Sequence, residues 1–300
     1  MINKLRNDTQ LLGIVLALIS TFCYSLMDVI VKYTLMYTNI NYSVFYFQVN
    51  LLIFVNLAIF GFAYIKKTLF VINAHPFIVL IRGSVSFVNF FFAFYVLKLL
   101  KLDIYYSIIF TSPLIATVLA TIFLKEKLKI VTVVSISLGM LGVAIITNPF
   151  SESFDSTLLL PIMLTILLAF SIAATGIITR KYLSQANTLS VSFYIFFICS
   201  IFGLLISCYN NGLHTTIIFD PHIFPALFGS AVFCVLGNLL FIQAYRLTPI
   251  NIVAPTEYAL IIWGIIFGYL VFHQTTTIPI IVGVLIVILA NFINTYMTHK

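Results

Sequence analysis

The sequence predicts an all-α integral membrane protein in which ten transmembrane helices form two inverted five-helix repeats. Three observations support this fold: the composition, a series of long apolar segments, and a weak internal repeat. Of the 300 residues, 62% are hydrophobic and 8% are charged, whereas soluble domains carry about 25% charged residues. Because no water-soluble core buries so much apolar surface, the chain is expected in a lipid bilayer.

Ten apolar segments are each close to the roughly 20 residues that a helix needs to cross a bilayer. Their side chains do not alternate with a period of two, and they are longer than barrel strands, so helices are favoured. The turns between them are short. Spans one to ten are predicted at Leu11–Val31, Ser43–Tyr64, Pro76–Leu97, Ile104–Leu124, Ile130–Thr147, Leu158–Ile178, Leu189–Cys208, Ile223–Tyr245, Asn251–Phe272 and Ile278–Thr295.

The basic residues of the turns and termini are distributed unequally between the two sides of the predicted bundle. Eleven lie on the side that holds both termini, and three lie on the other side. The positive-inside rule therefore predicts that both termini are cytoplasmic. These residues occur singly or in pairs and form no stripe that would follow a phosphate backbone, so a nucleic-acid partner is not expected.

The chain also resembles itself at a shift of 148 residues. This shift places Lys98-Leu99 on Arg246-Leu247 and Ala116-x-x-x-Ala120 on Gly264-x-x-x-Gly268. It indicates two units, residues 1–148 and 149–300, with five spans each, and an odd number of spans inverts the second unit. Inverted repeats of this kind are typical of secondary transporters, whose substrate site lies between the repeats near the middle of the membrane.

Small residues predict where helices approach each other closely. Lipid tails are as apolar as leucine, so helices associate in the bilayer where small side chains let their backbones meet. Ala116 and Ala120 on span four are expected to pack against Gly264 and Gly268 on span nine. Gly139 and Gly142 on span five are weaker candidates for the same kind of contact.

Two acidic residues lie within apolar spans. Glu257 lies in span nine, where an ionisable side chain costs roughly 3 kcal/mol or more at mid-membrane and must therefore face protein or water. On span one, Asp28 and Lys32 are four residues apart, which is the spacing of a local ion pair on a helix. Two interpretations stay open: a local pair near the end of the span, or Asp28 as a site for a proton or a substrate amine.

Span three carries a polar stripe. Arg82, Ser86, Asn89 and Ala93 recur at helical spacing, so they share one side of a helix whose phenylalanines are expected to face lipid. A rise of about 1.5 Å per residue places Arg82 roughly 10 Å from the start of its span, at a depth similar to that of Glu257. The two side chains are predicted to share one polar region, directly or through the substrate. A purely structural ion pair and snorkelling of Arg82 to the surface are the alternatives.

Four further residues are weaker binding candidates, and no catalytic motif accompanies them. Tyr258 and Asn238 offer hydrogen bonds on spans nine and eight, and Thr111 and Ser112 precede Pro113 in the middle of span four. A proline there leaves a backbone carbonyl free for a ligand. The chain has no phosphate-binding loop of the Walker type, no metal-ligand spacing and no paired catalytic acids, so neither an enzyme nor a cofactor or metal site is expected.

Several motifs resemble the EamA-like branch of the drug/metabolite transporter superfamily. They are Ile81-Arg82-Gly83, Tyr95-Val96-Leu97-Lys98-Leu99-Leu100, Phe110-Thr111-Ser112-Pro113-Leu114 with Leu124-Lys125-Glu126-Lys127-Leu128, Ala244-Tyr245-Arg246, Ala254-Pro255-Thr256-Glu257-Tyr258, and Trp263. One departure is His273-Gln274, where a Gly-Glu pair is common in the family. The resemblance implies a ten-helix carrier with cytoplasmic termini and a central cavity lined by spans one, three, four, six, eight and nine.

The main functional hypothesis is a secondary-active transporter that moves a small organic metabolite by alternating access. The substrate is expected to be an amino acid, a nucleotide-like compound or a related zwitterion. Family substrates include S-adenosylmethionine. The high Ile, Phe, Asn and Lys content indicates an AT-rich genome, and such genomes are frequent in host-dependent bacteria, which import metabolites. Uptake across the bacterial inner membrane, for example of S-adenosylmethionine, is therefore favoured over the alternative of export.

Specific roles follow for the candidate residues. Arg82 would hold a carboxylate or phosphate, Asp28 and Glu257 an amine or a coupling proton, and the remaining candidates would add hydrogen bonds. The expected partners are the metabolite, the lipid bilayer, and a proton or an exchanged metabolite, while a homodimer stays open. A non-transporting intramembrane enzyme or receptor is the alternative from another class, but the polar groups are scattered and the turns are too short for an output domain.

Overall fold

The computed structural model describes residues 2–65, 76–124, 130–147, 156–183, 186–214, 219–247 and 259–298. These residues form α-helices joined by short turns, and none of them lies in a β-strand. A 3₁₀ turn at Ser156–Leu158 precedes the seventh helix. The helices are α1 (Ile2–Tyr37), α2 (Tyr42–Ile65), α3 (Pro76–Leu99), α4 (Leu102–Ile109), α5 (Ser112–Leu124), α6 (Ile130–Thr147), α7 (Leu159–Tyr182), α8 (Thr188–Asn211), α9 (Phe224–Leu247), α10 (Ala259–Phe272) and α11 (Ile278–Thr298).

The predicted all-α membrane fold is confirmed. Seven helical stretches of the described residues are long and apolar enough to cross a membrane. Three shorter apolar helices, at Val133–Ile146, Ala259–Phe272 and Ile278–Ala290, lie where spans five, nine and ten were predicted. The protein is therefore a multi-pass membrane protein, with helix at each of the ten predicted positions.

Span four consists of two helices, α4 and α5, that are separated by Phe110 and Thr111. The Thr111 backbone N–H donates to the Ile108 carbonyl at 3.0 Å, and its hydroxyl donates to the same carbonyl at 2.7 Å. Pro113 follows and has no N–H to continue the helical ladder. The interruption predicted from Thr111-Ser112-Pro113 is thus present.

The largest helix–helix contacts recur when each span is exchanged for its counterpart five spans away. α1 packs against α9, as α7 packs against α3; α2 packs against α9, as α8 packs against α3. α1 also packs against α10, as α7 packs against α5. Three contacts join counterparts directly, namely α2 with α8, α6 with α11, and α4 with α10.

Spans four and nine pack together as predicted, but through different residues. A Cβ atom at Gly264 would lie 2.5 Å from Cδ2 of Tyr106 and 3.4 Å from the Leu102 carbonyl oxygen, both on α4. Gly268 instead lies beside Gln274, and Ala116 belongs to α5, which packs against α7. The expected pairing of Ala116 and Ala120 with the two glycines is wrong, because the break in span four leaves only its first half beside α10.

Spans five and ten cross at glycines. A Cβ atom at Gly142 would lie 2.9 Å from the Gly283 carbonyl oxygen, and one at Gly283 would lie 2.6 Å from the Gly142 carbonyl oxygen. The two backbones therefore touch without intervening side chains. This is the close approach that was expected for Gly142.

The phenylalanines of α3 do not all face lipid. Phe91 and Phe94 are buried, and their ring centroids lie 5.2 Å and 5.5 Å from that of Tyr46 on α2. Successive residues of a helix point in different directions, so a run of phenylalanines cannot occupy one face. The side of α3 that is exposed carries Phe77 and Leu80.

Candidate functional site

Asp28 lies in the core of the bundle and is bonded to span four. Its side chain is 8% exposed, and the Tyr106 hydroxyl donates a 2.7 Å hydrogen bond to its Oδ2 atom. A rise of about 1.5 Å per residue puts Asp28 roughly 14 Å from the end of α1 at Tyr37, close to the middle of a hydrocarbon layer of about 30 Å. The carboxyl group is therefore held deep in the protein by a neutral donor.

Lys32 does not pair with Asp28. Its Nζ atom donates to the carbonyl oxygens of Leu97 and Leu100, at 2.6 Å each. The last carbonyls of a helix lack intrahelical donors and carry the negative end of the helix dipole, so the end of α3 attracts an ammonium group. The interpretation of Asp28 and Lys32 as a local ion pair is therefore wrong, and Asp28 has no cationic partner within 4 Å among the described residues.

Arg82 joins α3 to α7. Its Nε atom donates to the Thr179 hydroxyl at 3.0 Å, and Nη1 donates to the Ser86 hydroxyl one turn later on α3. The bond to Ser86 agrees with the predicted polar stripe. Both partners are neutral, and no carboxylate of the part of the chain that the structure describes forms an ion pair with this guanidinium. Thr179 donates in turn to the Thr175 carbonyl at 2.7 Å.

The two asparagine candidates differ in their contacts. Asn238 on α9 donates from Nδ2 to the Ser192 hydroxyl of α8 at 3.4 Å, a long bond between partly buried groups. Asn89 on α3 is partly buried and makes no hydrogen bond to another described residue. Its amide thus retains both donors and its acceptor for a ligand or for water.

The candidates at the break of span four are only partly available. The Thr111 hydroxyl is bonded to the Ile108 carbonyl of its own turn, which leaves its oxygen as an acceptor. Ser112 begins α5 and is 8% exposed. Glu257 and Tyr258 lie outside the described residues, so their roles, and the predicted proximity of Arg82 and Glu257, stay predictions.

Sequence reasoning missed the residues that hold these charges in place. Tyr106 is separated from Asp28 by 78 positions, and Thr179 is separated from Arg82 by 97. Both residues carry a hydroxyl group within an otherwise apolar span. That feature could have suggested them as polar contact residues, but it does not indicate which residue each one binds. The resulting arrangement offers one carboxyl and one guanidinium group to ligand groups of opposite charge. The described residues contain no group of three His, Cys, Asp or Glu side chains arranged to hold a metal ion.

Comparison with known proteins agrees with this architecture. The sequence profile of the EamA-like transporter family matches residues 11–148 and again residues 159–296. The chain belongs to this EamA-like family. The two matches cover most of the sequence, and each contains five of the predicted spans.

Curated relatives of this EamA-like protein include named transporters. The riboflavin transporter of Vibrio cholerae is 25% identical over 195 residues, which are 65% of this chain and 63% of that protein. The match thus spans less than two thirds of its length. The S-adenosylmethionine uptake transporter of Rickettsia bellii is 24% identical over 238 residues, which are 76% of this chain and 75% of that protein. That of Rickettsia felis is 25% identical over 251 residues.

A solved structure shares the fold. One crystallographic chain superposes with a TM-score of 0.64 over 96% of this chain and 97% of its own length, at 11% sequence identity. At that identity the likeness concerns the fold alone.

Proposed function

We propose that this EamA-like protein is a secondary-active transporter that moves a small zwitterionic metabolite across the membrane by alternating access. The observation that carries the proposal is the presence of two groups of opposite sign inside the bundle, the buried Asp28 and the partly buried Arg82, with only neutral partners among the described residues. A charge without a counter-ion is costly inside a membrane protein. Such a charge is retained where a ligand or a proton compensates it.

Each group has a role in this proposal. The planar guanidinium of Arg82 suits a carboxylate or phosphate, to which it donates two parallel hydrogen bonds. Asp28 takes either the amine of the substrate or a coupling proton. Glu257, Tyr258, Asn89, Asn238, Thr111 and Ser112 are proposed to complete the site.

The two repeats are proposed as the moving units. Residues 1–148 and 149–300 would rock against each other where α4 crosses α10, because that contact joins symmetry-related spans. The excess of basic residues in turns on one side supports cytoplasmic termini in a bacterial inner membrane. Short turns and scattered polar groups argue against an intramembrane enzyme or receptor.

The charges also discriminate between the substrates for which the relatives are named. S-adenosylmethionine carries a carboxylate and an ammonium group, which match Arg82 and Asp28. Riboflavin carries neither group. We therefore favour uptake of S-adenosylmethionine or a related zwitterion, with riboflavin and export of a metabolite as the alternatives.

Transport into proteoliposomes tests the proposal. Purified protein is reconstituted, and entry of labelled S-adenosylmethionine, riboflavin and an amino acid is measured with and without an imposed pH gradient. The Arg82→Met and Asp28→Asn variants are compared with Ser84→Ala, which changes an exposed hydroxyl of α3 that bonds only to Leu80 of its own helix. Loss of gradient-driven uptake in the first two variants alone supports the site, and wild-type rates in both reject it. Absence of flux for all substrates in either direction argues against transport.

A further inference from the structure

Lys32 is a buried cation at one end of the bundle. We call this the far end, where α1 and α3 finish and α4 begins. The side chain of Lys32 is 1% exposed, and its two hydrogen bonds go to the carbonyls of Leu97, in the last turn of α3, and of Leu100, directly after it. Its Nζ atom also lies 5.3 Å from the ring centroid of Phe272, the last residue of α10, within the range of a cation–π contact. The ammonium group of this α1 residue therefore contacts α3 and α10, which belong to different halves of the chain.

The neighbouring corner between α3 and α4 is tied to the turn that follows α10. Asp103 in the first turn of α4 is 3% exposed. Its Oδ1 atom accepts from the Ile104 backbone N–H at 2.8 Å, and its Oδ2 atom accepts from the Thr276 hydroxyl at 3.2 Å. Lys101 donates to the Thr275 carbonyl at 3.3 Å. The first half of the chain thus holds the turn between α10 and α11 at two points.

Asp103 lies three residues after Leu100, whose carbonyl oxygen accepts a hydrogen bond from Lys32. Asp28, one turn from Lys32 on α1, is bonded to Tyr106 instead. The Lys32 ammonium group is thus stabilised by backbone carbonyls and an aromatic ring, with a carboxylate close by in the same corner. It forms no direct ion pair with a described residue. Water can replace each of these partners once the helices separate, so the arrangement is suited to repeated opening.

The far end has a buried apolar core. Leu35 on α1 and Leu97 on α3 are fully buried there, as is Leu102 at the start of α4, while Tyr37 on α1 and Leu99 on α3 are exposed. The second half reaches this end where α10 packs against α4 and where Phe272 lies over the Lys32 ammonium group. The two halves are therefore in contact at the far end.

We propose that Lys32, Asp103, Phe272 and Thr276 form a latch that closes the far end between the two halves. Opening of this far-end latch withdraws Phe272 and Thr276 from Lys32 and Asp103, and water then hydrates both charges. The inference rests on the proposed alternating-access function, since only such a protein needs an end that closes and opens. It adds a gating role for Lys32, which lies outside the proposed substrate site.

A buried reporter cysteine measures opening of the latch directly. The four native cysteines are replaced by alanine, and Leu100→Cys is introduced. Leu100 is 2% exposed, and its substitution keeps the backbone carbonyl that binds Lys32. The protein is placed in lipid nanodiscs, and the rate of reaction with a bulky charged maleimide is recorded. No substrate is required, so the result is independent of whether transport is observed.

Two variants and one control decide the outcome. Lys32→Met keeps the length of the side chain and removes its charged hydrogen bonds, so labelling is expected to accelerate about tenfold or more. Thr276→Val removes only the bond to Asp103 and is expected to give a smaller acceleration of about two- to threefold. Lys98→Met removes an exposed charge from the last turn of α3 and is expected to leave the rate unchanged.

The latch is rejected if folded Lys32→Met protein is labelled at the rate of the parent, or if Lys98→Met accelerates labelling equally. Should Lys32→Met fail to give a single peak in gel filtration, Thr276→Val decides, and an unchanged rate in that variant rejects the latch. If the protein transports substrate but Lys32→Met leaves the labelling rate unchanged, the latch is rejected and the proposed function stands. If Lys32→Met accelerates labelling but the protein transports nothing, the latch contact stands and the proposed function is rejected.

Discussion

Tyr106 contacts Asp28 and Gly264 with different parts of one side chain. Its hydroxyl donates to the Asp28 carboxyl group at 2.7 Å, while its ring lies where a side chain at Gly264 would begin, with Cδ2 only 2.5 Å from the ideal Cβ position. Tyr106 thus connects α1 in the first half with α10 in the second half. A movement of α10 along this contact would displace the donor of the Asp28 carboxyl group.

Gly264→Ala is expected to destabilise the protein. The added methyl group must displace the Tyr106 ring, and overpacking of this kind costs about 1–3 kcal/mol. The measurement is the melting temperature in detergent. Gly176→Ala on α7 is the matched control, because nothing lies within 4 Å of its added Cβ and alanine is the better helix former. Equal melting temperatures for the two variants would contradict the close contact.

Asp28→Asn is expected to uncouple transport from the proton gradient. Asparagine keeps the shape and accepts the Tyr106 hydrogen bond, but it does not carry a proton between the two sides. Uptake driven by an imposed pH gradient should fall to the rate seen without the gradient, whereas exchange of labelled for unlabelled substrate should persist. Stability should be unchanged or slightly higher, because the cost of burying a carboxylate is removed.

The control for this variant is Asp220→Asn, which changes an exposed acid in the turn before α9. It should transport like the parent. A response of Asp28→Asn to the pH gradient equal to that of the parent would show that Asp28 does not carry the coupling proton.

Thr179→Val is expected to weaken the support of Arg82. The change is nearly isosteric and removes the acceptor of the Arg82 Nε–H group, and hydrogen bonds to charged groups contribute about 1.5–3 kcal/mol. We expect a lower melting temperature and a higher KM for an anionic or zwitterionic substrate. Thr175→Val, one turn earlier, is the control, because the Thr175 hydroxyl bonds only to the Ile172 carbonyl of its own helix. Identical KM values in both variants would argue against a positioning role for Thr179.

Gly142→Ala is expected to disrupt the crossing of α6 and α11. Its Cβ atom would lie 2.9 Å from the Gly283 carbonyl oxygen, and a backbone atom cannot turn aside as a flexible side chain does. A loss of about 1–3 kcal/mol is expected, measured by thermal unfolding. Gly229→Ala on α9 should be tolerated, because its nearest neighbour is the end of the Ile30 side chain at 3.5 Å. Tolerance of both substitutions would contradict the glycine crossing.

The polar stripe on α3 illustrates what helical spacing predicts. Arg82 and Ser86 are four residues apart, so any α-helix brings them to one side, and their hydrogen bond follows. The same reasoning failed for Lys32 and Asp28, which have the same spacing. The carbonyls of Leu97 and Leu100 compete for the ammonium group, and they reach it only after α1 and α3 have packed side by side.

Hydropathy and residue spacing are local properties of the chain, and for that reason the sequence by itself determined the membrane class, the positions of the spans and the break in span four. Only the tertiary structure decided which groups meet. The hydrogen-bond partners of Asp28, Lys32 and Arg82 on other helices lie 65 to 97 positions away along the chain. Gly264 was expected beside Ala116 and lies beside Tyr106, because the break in span four turns its first half alone toward α10. Contacts over such separations depend on how whole helices cross, and that geometry results from many side chains packing at once.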